Sequence, residues 1–524
     1  MNPEQEKVAT GILYTDQYQL TMAQFYYQTG LHDNEVQFEY FFRNCPDYGS
    51  HKAGYCVFAG LEWLLDWMAR VRFQDPELSL LKNQKTTSGR PFYDPSFLSW
   101  LKKNGSFDRI SIRSMPEGRV IHPNVPVAVV QGPLAMAQIL ESSLLNHLNY
   151  QTLVATRAAR VRQAGRGRLL LEFGMRRGQD LGANAGARAA LIGGADFTSN
   201  VGISHVLGFP PKGTHAHSMV QAFMALGNSE FDAFRAFSRI YPDDCVLLVD
   251  TINTLESGIP NAIRVFEELR KKGHQPKGIR IDSGDLAHLS VMAHKMLEKA
   301  GFSSTLITLS NQLDEMVITQ IINQIMEEAP IYGIDPDQVI NRLVLGVGTR
   351  LLTSSGQCAL DGVYKLTAIK SGADWKPAIK ISETPAKIIN PGFKKTWRIY
   401  DERERATVDL ICLDHERPDK QEEIFLHHPV EQQTMRILNK SRVSRMECLL
   451  EDVFLQGRLV KEHPGIERIR KVRDLDLERL DPGVKRLINP HIYHVSLSRE
   501  LWDLKQEMIN ARKKMNPDHE RLPG

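Results

Sequence analysis

Paired cysteines are missing from this sequence. Its six cysteines stand singly at positions 45, 56, 245, 358, 412 and 448, and none forms a Cys-x-x-Cys pair. Disulfide frameworks and zinc ribbons therefore find no support, and buried, reduced thiols in a cytoplasmic protein are the expectation. Long apolar runs are missing too. The most apolar stretch, PVAVVQGPLAMAQIL, is interrupted by Gln131, Gly132 and Pro133, well short of the ~18 uninterrupted residues of a membrane helix. The opening MNPEQEKVAT has no basic start leading into an apolar stretch, so no signal peptide is expected. Nor does charge of one sign accumulate: 65 basic residues interleave with 62 acidic ones for a net +3, which gives no electrostatic ground for a nucleic acid or membrane partner. Internal repeats and low-complexity segments are lacking as well.

What is present describes a globular protein of several domains. A length of 524 residues with 42% hydrophobic and 24% charged residues exceeds a single ordinary core. TDQYQLTMAQFYYQTG reads as a helix with Asp16 as N-cap and Gly30 as stop. Residues 36 to 42 and 108 to 135, punctuated by Gly118, Pro123, Pro126 and Gly132, read as strands of a small sheet domain. From about residue 137 the rhythm changes to strand and helix in alternation, the pattern of a parallel sheet. The strand candidates are RLLLEFG, ADFTSNV, GTHAH, CVLLVD, GIRID, TLITLSN, PIYGI and RLVLGVG. Up to eight such units predict a closed α/β barrel, with an open doubly wound sheet as the alternative. After residue 355, GVYKLTAIKS, TWRIYD and ATVDLICLD look like strands returning to the first sheet. The expected division is thus 1–136 and 355–455 as one discontinuous domain, 137–354 as the barrel, and 456–524 as a C-terminal helical extension, in which Ser498 caps a last helix.

Chemistry-bearing residues gather at the ends of these strands. Glu172, Arg176 and Arg177 follow the first, Asn200 the second, and Asp250 the fourth; Arg280 and Asp282 belong to the fifth, Ser310 and Asn311 to the sixth, and Gly346, Gly348 and Thr349 to the last. Ligand sites form at the carboxyl ends of parallel strands, so one pocket is expected. GVGT and SNQLDE each put small or hydroxyl residues before a predicted helix, where free N–H groups favour phosphate. Arg176, Arg177 and Arg280 offer planar donors for phosphate or carboxylate, and Asp250 and Asp282 suit a divalent cation bridging phosphates. Asp282 or Ser283 in IDSGDL also suits a plain helix cap.

In PKGTHAHS, His215 and His217 are two residues apart and would point the same way on a strand. Metal ligation, a nucleophile and packing are all open on that spacing. A His-x-His at a barrel strand end is shared with metal-dependent amidohydrolases, but His274, His288 and His294 do not fall at later strand ends to complete such a site.

The motifs YTDQYQLTM, EFGMRRGQD, GTHAHSMVQAF, GIRIDSGDL, LSNQLDE, GVGTRLLTS, GVYKLTAI and PHIYHVSLSRELWDLKQEM, in this order, resemble those of the nicotinate phosphoribosyltransferases. The resemblance implies an irregular α/β barrel of the type II phosphoribosyltransferase kind with a sandwich domain built from both chain ends. It implies synthesis of nicotinate mononucleotide from nicotinate and phosphoribosyl pyrophosphate in NAD biosynthesis, with Mg²⁺, and with ATP hydrolysis coupled through a phosphohistidine at His217. Tyr18 matches a tyrosine that stacks on the pyridine ring across a homodimer interface. Thr214 and Arg280 match nicotinate-binding residues, Arg176 a substrate-pocket arginine, and Thr349 a contact to the 5-phosphate; Ser310, Asn311 and Gly348 join that phosphate site from their helix-start positions. At His215 the family pattern has an apolar residue instead. The nicotinamide-specific phosphoribosyltransferases are the nearest rival within the fold.

Overall fold

In the computed structural model, which describes residues 1–515 except 354, 358 and 432, the chain forms two compact units. One comprises Met1–Leu153 and Ala359–Gly524, the other Val154–Cys358.

The first unit is built from both chain ends because strand pairs within one sheet, Glu35–Phe42 with Gly362–Ser371 and Ser111–Ser114 with Glu451–Leu455, tie them. Glu35–Phe42 pairs antiparallel with Ala128–Pro133 on one side and with Gly362–Ser371 on the other, within a seven-stranded sheet. Phe38 and Tyr364 stack across that pairing with ring centroids 4.6 Å apart. The sheet buries an apolar cluster that includes Val36, Tyr40, Phe42, Val130 and Phe97. A second, six-stranded sheet spans Lys394–Tyr400 to His494–Leu497, and in it Ala406–Leu413 runs parallel to His494–Leu497. The C-terminal segment expected to be a helical extension thus also supplies a strand. It ends in the helix Arg499–Met515, whose start is capped by the Ser498 hydroxyl accepting from Leu501 N–H at 3.3 Å. The helix Gln17–Gln28 begins after Asp16 as expected, yet the Asp16 carboxylate makes no capping bond and accepts instead from the Ser142 hydroxyl at 2.5 Å.

The second unit is a parallel α/β sheet of six strands. Their spatial order is Phe197–Thr198, Leu169–Glu172, Leu343–Val347, Leu306–Leu309, Gly278–Ile281, Val246–Leu248, with every neighbouring pair parallel. The short continuous apolar runs form mainly buried strands, and Leu343–Val347 is buried at all five positions, as a strand covered on both faces is. Two of the eight expected strands are absent among the described residues. PIYGI falls in the 3₁₀ turn Ala329–Tyr332 and the bend after it, and GTHAH lies outside any ladder. The gap falls between the outermost strands, and GTHAH belongs there: Lys212 N–H donates to the Thr198 carbonyl at 3.0 Å, and Leu248 N–H donates to His215 Nε2 at 3.0 Å. The barrel is irregular because this segment closes it with isolated bonds.

The cysteine expectation needs amending. Cys56, Cys245 and Cys412 are buried free thiols, but Cys45 is half-buried and Cys448 exposed. Burial pushes the Cys245 thiol up to about 12. Among the described residues no helix is long and apolar enough to cross a membrane.

Candidate active site

Four strand ends of the second unit, those of Leu169–Glu172, Gly278–Ile281, Leu306–Leu309 and Leu343–Val347, place their polar residues around one cavity of about 550 Å³, open to solvent. Arg176, Arg177, Arg280, Asp282, Ser310, Asn311, Gly348 and Thr349 all border it. Three guanidinium groups face one carboxylate there, so the cavity favours an anionic ligand.

Arg280 is its hub. On the strand Gly278–Ile281 it donates from Nε to Ser310 Oγ (2.9 Å), from Nη1 to Thr214 Oγ1 (3.1 Å) and from Nη2 to Asp282 Oδ1 (3.3 Å). A guanidinium has five N–H donors; subtracting these three bonds leaves two for a ligand. The Ser310 hydroxyl in turn donates to Asp282 Oδ1 at 2.5 Å, so Ser310 fixes the Arg280–Asp282 pair. Beneath the guanidinium lies the Phe173 ring, with its centroid 5.4 Å from Arg280 Cζ. Phe173 is a cavity residue that the strand-end reading passed over. Its signal was an aromatic at the exit of the strand Leu169–Glu172, with Gly346 opposite: a Cβ on Gly346 would lie 2.5 Å from Phe173 Cε2.

At the helices after SNQLDE and IDSGDL an aspartate placed later in the loop supplies the cap. The helix after SNQLDE begins at Glu315, and Asp314 accepts from Met316 and Val317 N–H at 3.0 and 2.9 Å. Asp314 thus occupies the N–H groups of the helix's second and third residues. Asn311 and Gln312 instead adopt left-handed backbone, with φ of 89° and 52°, strain of the sort held at binding loops. In IDSGDL the cap is Asp285, which accepts from Ala287 and His288 N–H at 3.1 Å. Neither Asp282 nor Ser283 caps that helix. Gly348 precedes the helix Thr349–Leu352, and a Cβ there would stand 2.9 Å from the Phe173 carbonyl oxygen.

The two histidines part company. His217 opens the helix His217–Ala225, and its Nε2 lies 3.1 Å from Asp250 Oδ1. His215 turns to the Leu248 N–H and packs its ring against Phe237, centroids 5.0 Å apart. Burial holds His215 near a pKa of about 4, aided by the Arg280 and His217 charges, which keeps Nε2 a hydrogen-bond acceptor. The pair shares no face because the segment is not a strand. No group of three metal-ligating side chains occurs among the described residues.

Asp250, expected as a metal ligand, is fully engaged. Its Oδ1 faces His217, while Oδ2 accepts from Asp282 N–H at 3.0 Å and from the Ser283 hydroxyl at 2.5 Å; the side chain is 2% exposed. It is an orienting group for His217. Glu172 and Asn200 are braces. Glu172 accepts from Gly174 N–H and the Thr198 hydroxyl, and burial raises its pKa against those bonds. Asn200 donates to Asn184 at 2.9 Å. Tyr18 belongs to the first unit, in the first turn of Gln17–Gln28, and is 50% exposed.

Comparison with known proteins decides the family. The family models for the nicotinate phosphoribosyltransferase N-terminal domain, family and C-terminal domain match residues 13–149, 169–399 and 393–505. A nicotinate phosphoribosyltransferase of Bacillus subtilis is 38% identical over 503 residues, covering 96% of each chain, and that of Homo sapiens is 30% identical over 97% of this chain and 98% of its own. The chain belongs to the nicotinate phosphoribosyltransferase family. Its fold is that of the type II phosphoribosyltransferases: the crystal structure of human Nicotinic Acid Phosphoribosyltransferase superimposes with a TM-score of 0.77 at 28% identity, over 94% of this chain and 99% of that one. A nicotinate-nucleotide pyrophosphorylase of Pyrococcus furiosus shares the fold at a TM-score of 0.64 and 19% identity. The arginine-lined cavity lies within the part that the family model matches.

Proposed function

We propose that this protein joins nicotinate to phosphoribosyl pyrophosphate, releasing pyrophosphate and forming nicotinate mononucleotide in NAD biosynthesis, with ATP hydrolysis coupled through His217. The observation that carries the reading is Arg280, braced by Ser310 and Asp282, bonded to Thr214 and left with donors to spare in a cavity where arginines outnumber carboxylates. A pyridine carboxylate is recognised by such a fork.

In this reading the pyridine nitrogen attacks the anomeric carbon, the bond from that carbon to the diphosphate oxygen breaks, and the diphosphate leaves with the electron pair. Positive charge develops on the ribose and negative charge on the leaving group, so Arg176 acts on the diphosphate. Asn311, Gly348 and Thr349 take the 5-phosphate, with Ser310 beneath them. Tyr18 of a second copy stacks on the ring, in a cytoplasmic homodimer. Asp282 fits a Mg²⁺ site in part: its carboxylate borders the cavity, and one or two carboxylates plus substrate phosphates suffice for Mg²⁺. Bound there, the ion would neutralise the diphosphate. Asp250 is spent on His217, as its hydrogen bonds attest.

For the ATP step, Asp250 accepting from Nε2–H leaves the Nδ1 lone pair as nucleophile. Nδ1 attacks the γ-phosphorus, ADP departs with the bonding pair, and Asp250 balances the resulting imidazolium. Pyrophosphate release by the purified protein with Mg²⁺ and phosphoribosyl pyrophosphate tests the whole reading, comparing nicotinate with nicotinamide, each with and without ATP. ATP-stimulated preference for nicotinate is expected. Preference for nicotinamide overturns the carboxylate role of Arg280, and no release with either overturns the reaction.

A further inference from the structure

The first unit holds a cavity of its own, bordered by Glu39, Phe41, Arg43, Lys387, Asn390 and Lys505 among others. Lys505, on the helix Arg499–Met515, is only 4% exposed. Its ammonium donates to Asn390 Oδ1 and to the Pro429 carbonyl, both at 2.9 Å. Neither partner carries charge. An ammonium has three N–H donors, so one is left over, and no carboxylate among the described residues forms an ion pair with it. Buried lysines are ordinarily paired, because an isolated buried charge is costly.

The rest of the wall does not supply the missing anion. Glu39 borders the cavity but is committed to the buried Lys394, whose Nζ lies 2.9 Å away. The side chains of Arg43 and Lys387 also border it and form no hydrogen bond or ion pair with any described residue. With Glu39 and Lys394 cancelling, Arg43, Lys387 and Lys505 remain as three unmatched positive charges around one opening. We propose that this cavity binds a small, doubly charged anion of the phosphate type, with Lys505 as its buried anchor and Arg43 and Lys387 as its outer ligands. Arg43 provides a planar fork for two oxygens, and Lys505 a point charge. Burial together with the Lys394 charge brings the Lys505 ammonium down to about 8, as befits a site whose counter-ion comes from solution.

Equilibrium dialysis against labelled inorganic phosphate tests the proposal on the intact protein, with Arg43→Gln/Lys387→Gln and Lys505→Met as separate variants. The wild type is expected to bind one more phosphate per chain than either variant, or to bind it about 10- to 100-fold more tightly. That difference is independent of any phosphate held in the arginine-lined cavity, which both variants leave intact. Sulfate is expected to displace the extra phosphate and acetate, carrying one charge, is not; displacement by acetate would make the site one for carboxylates and overturn the dianion assignment. Equal phosphate binding by wild type and the Arg43→Gln/Lys387→Gln protein, whose changes leave the buried lysine in place, overturns the site altogether.

Discussion

Asp250→Asn isolates the role of the carboxylate behind His217. The two side chains are nearly equal in volume, so the cavity walls stay in place and what changes is charge and donor polarity. Asp250 Oδ2 accepts from two donors, Asp282 N–H and the Ser283 hydroxyl. The asparagine carbonyl must keep that position, because an amide NH₂ there would face both donors. Its NH₂ then turns towards His217 Nε2, 3.1 Å away in the parent. Nε2 is forced to accept, the proton moves to Nδ1, and the nitrogen assigned to phosphoryl attack loses its lone pair. A wrong-tautomer change of this kind costs about 10³- to 10⁴-fold in rate, or about 4–5.5 kcal/mol of barrier. The assay is single-turnover transfer of label from γ-labelled ATP to the protein, alongside nucleotide formation without ATP. Label transfer is expected to fall by that factor while ATP-independent formation stays within about threefold. Transfer reduced less than about tenfold would refute the assignment of Nδ1 and the orienting role of Asp250.

Other changes test other parts of the site. His217→Ala is expected to abolish ATP-stimulated turnover and to keep ATP-independent transfer; equal ATP stimulation in steady-state assays would count against the phosphohistidine. Arg280→Lys keeps the charge but removes the fork that reaches Ser310, Thr214 and Asp282, so the KM for nicotinate should rise about 10- to 100-fold with a smaller change in kcat. In Gly258→Ala the new Cβ would meet the Val249 carbonyl oxygen at 1.8 Å, and the strand leading to Asp250 must shift; a stability loss of about 1–3 kcal/mol is expected in denaturant titration, together with weaker ATP stimulation. Acid stability is set in part by His122 and His215, held down to about 3 and about 4, mainly by burial. Their unfolded forms protonate near pH ~6.5. The unfolded chain therefore binds more protons between those values, and the stability these groups contribute, complete above pH ~6.5, drains away as pH falls towards about 4 for His215 and about 3 for His122. Calorimetric Tm should follow that slope, and a flat Tm from pH 7 to 5 would contradict it.

How much of this was legible in the sequence depends on whether a residue's role is set by its strand or by its loop. Strand positions were readable: apolar runs such as that of Leu343–Val347 are buried on both faces, so their ends marked where Arg280, Asp282 and Gly348 would meet. Loop positions were not. Which aspartate of IDSGDL caps the next helix is set by the path of the loop, and only the structure shows Asp285 taking the cap while Asp282 meets Arg280. Asp250 looked like a metal ligand because the sequence gives a carboxylate at a strand end without its neighbours. The two N–H and O–H donors and the imidazole that occupy it come from residues 32, 33 and 33 positions away. Phe173 escaped for a related reason, since an apolar side chain at a strand exit reads as core until the glycine facing it is seen.

The two histidines of PKGTHAHS carry the same lesson to its mechanistic end. Period-two alternation assumes a ladder, and this segment has none: it runs beside the open edge left by the outermost strands. At that edge Val249 N–H is satisfied by the Arg280 carbonyl, while Leu248 N–H points away from the sheet. Without a neighbouring strand it would be a buried donor lacking an acceptor, costing about 1–3 kcal/mol. His215 supplies the acceptor, and its depressed pKa keeps it able to do so. The bond fixes Leu248 two residues before Asp250, and the chain that carries His215 carries His217 two residues on. One imidazole thereby holds both halves of the His217–Asp250 pair in register. The spacing of two matches that clamp: the imidazole that holds Leu248 stands two residues before the one that meets Asp250.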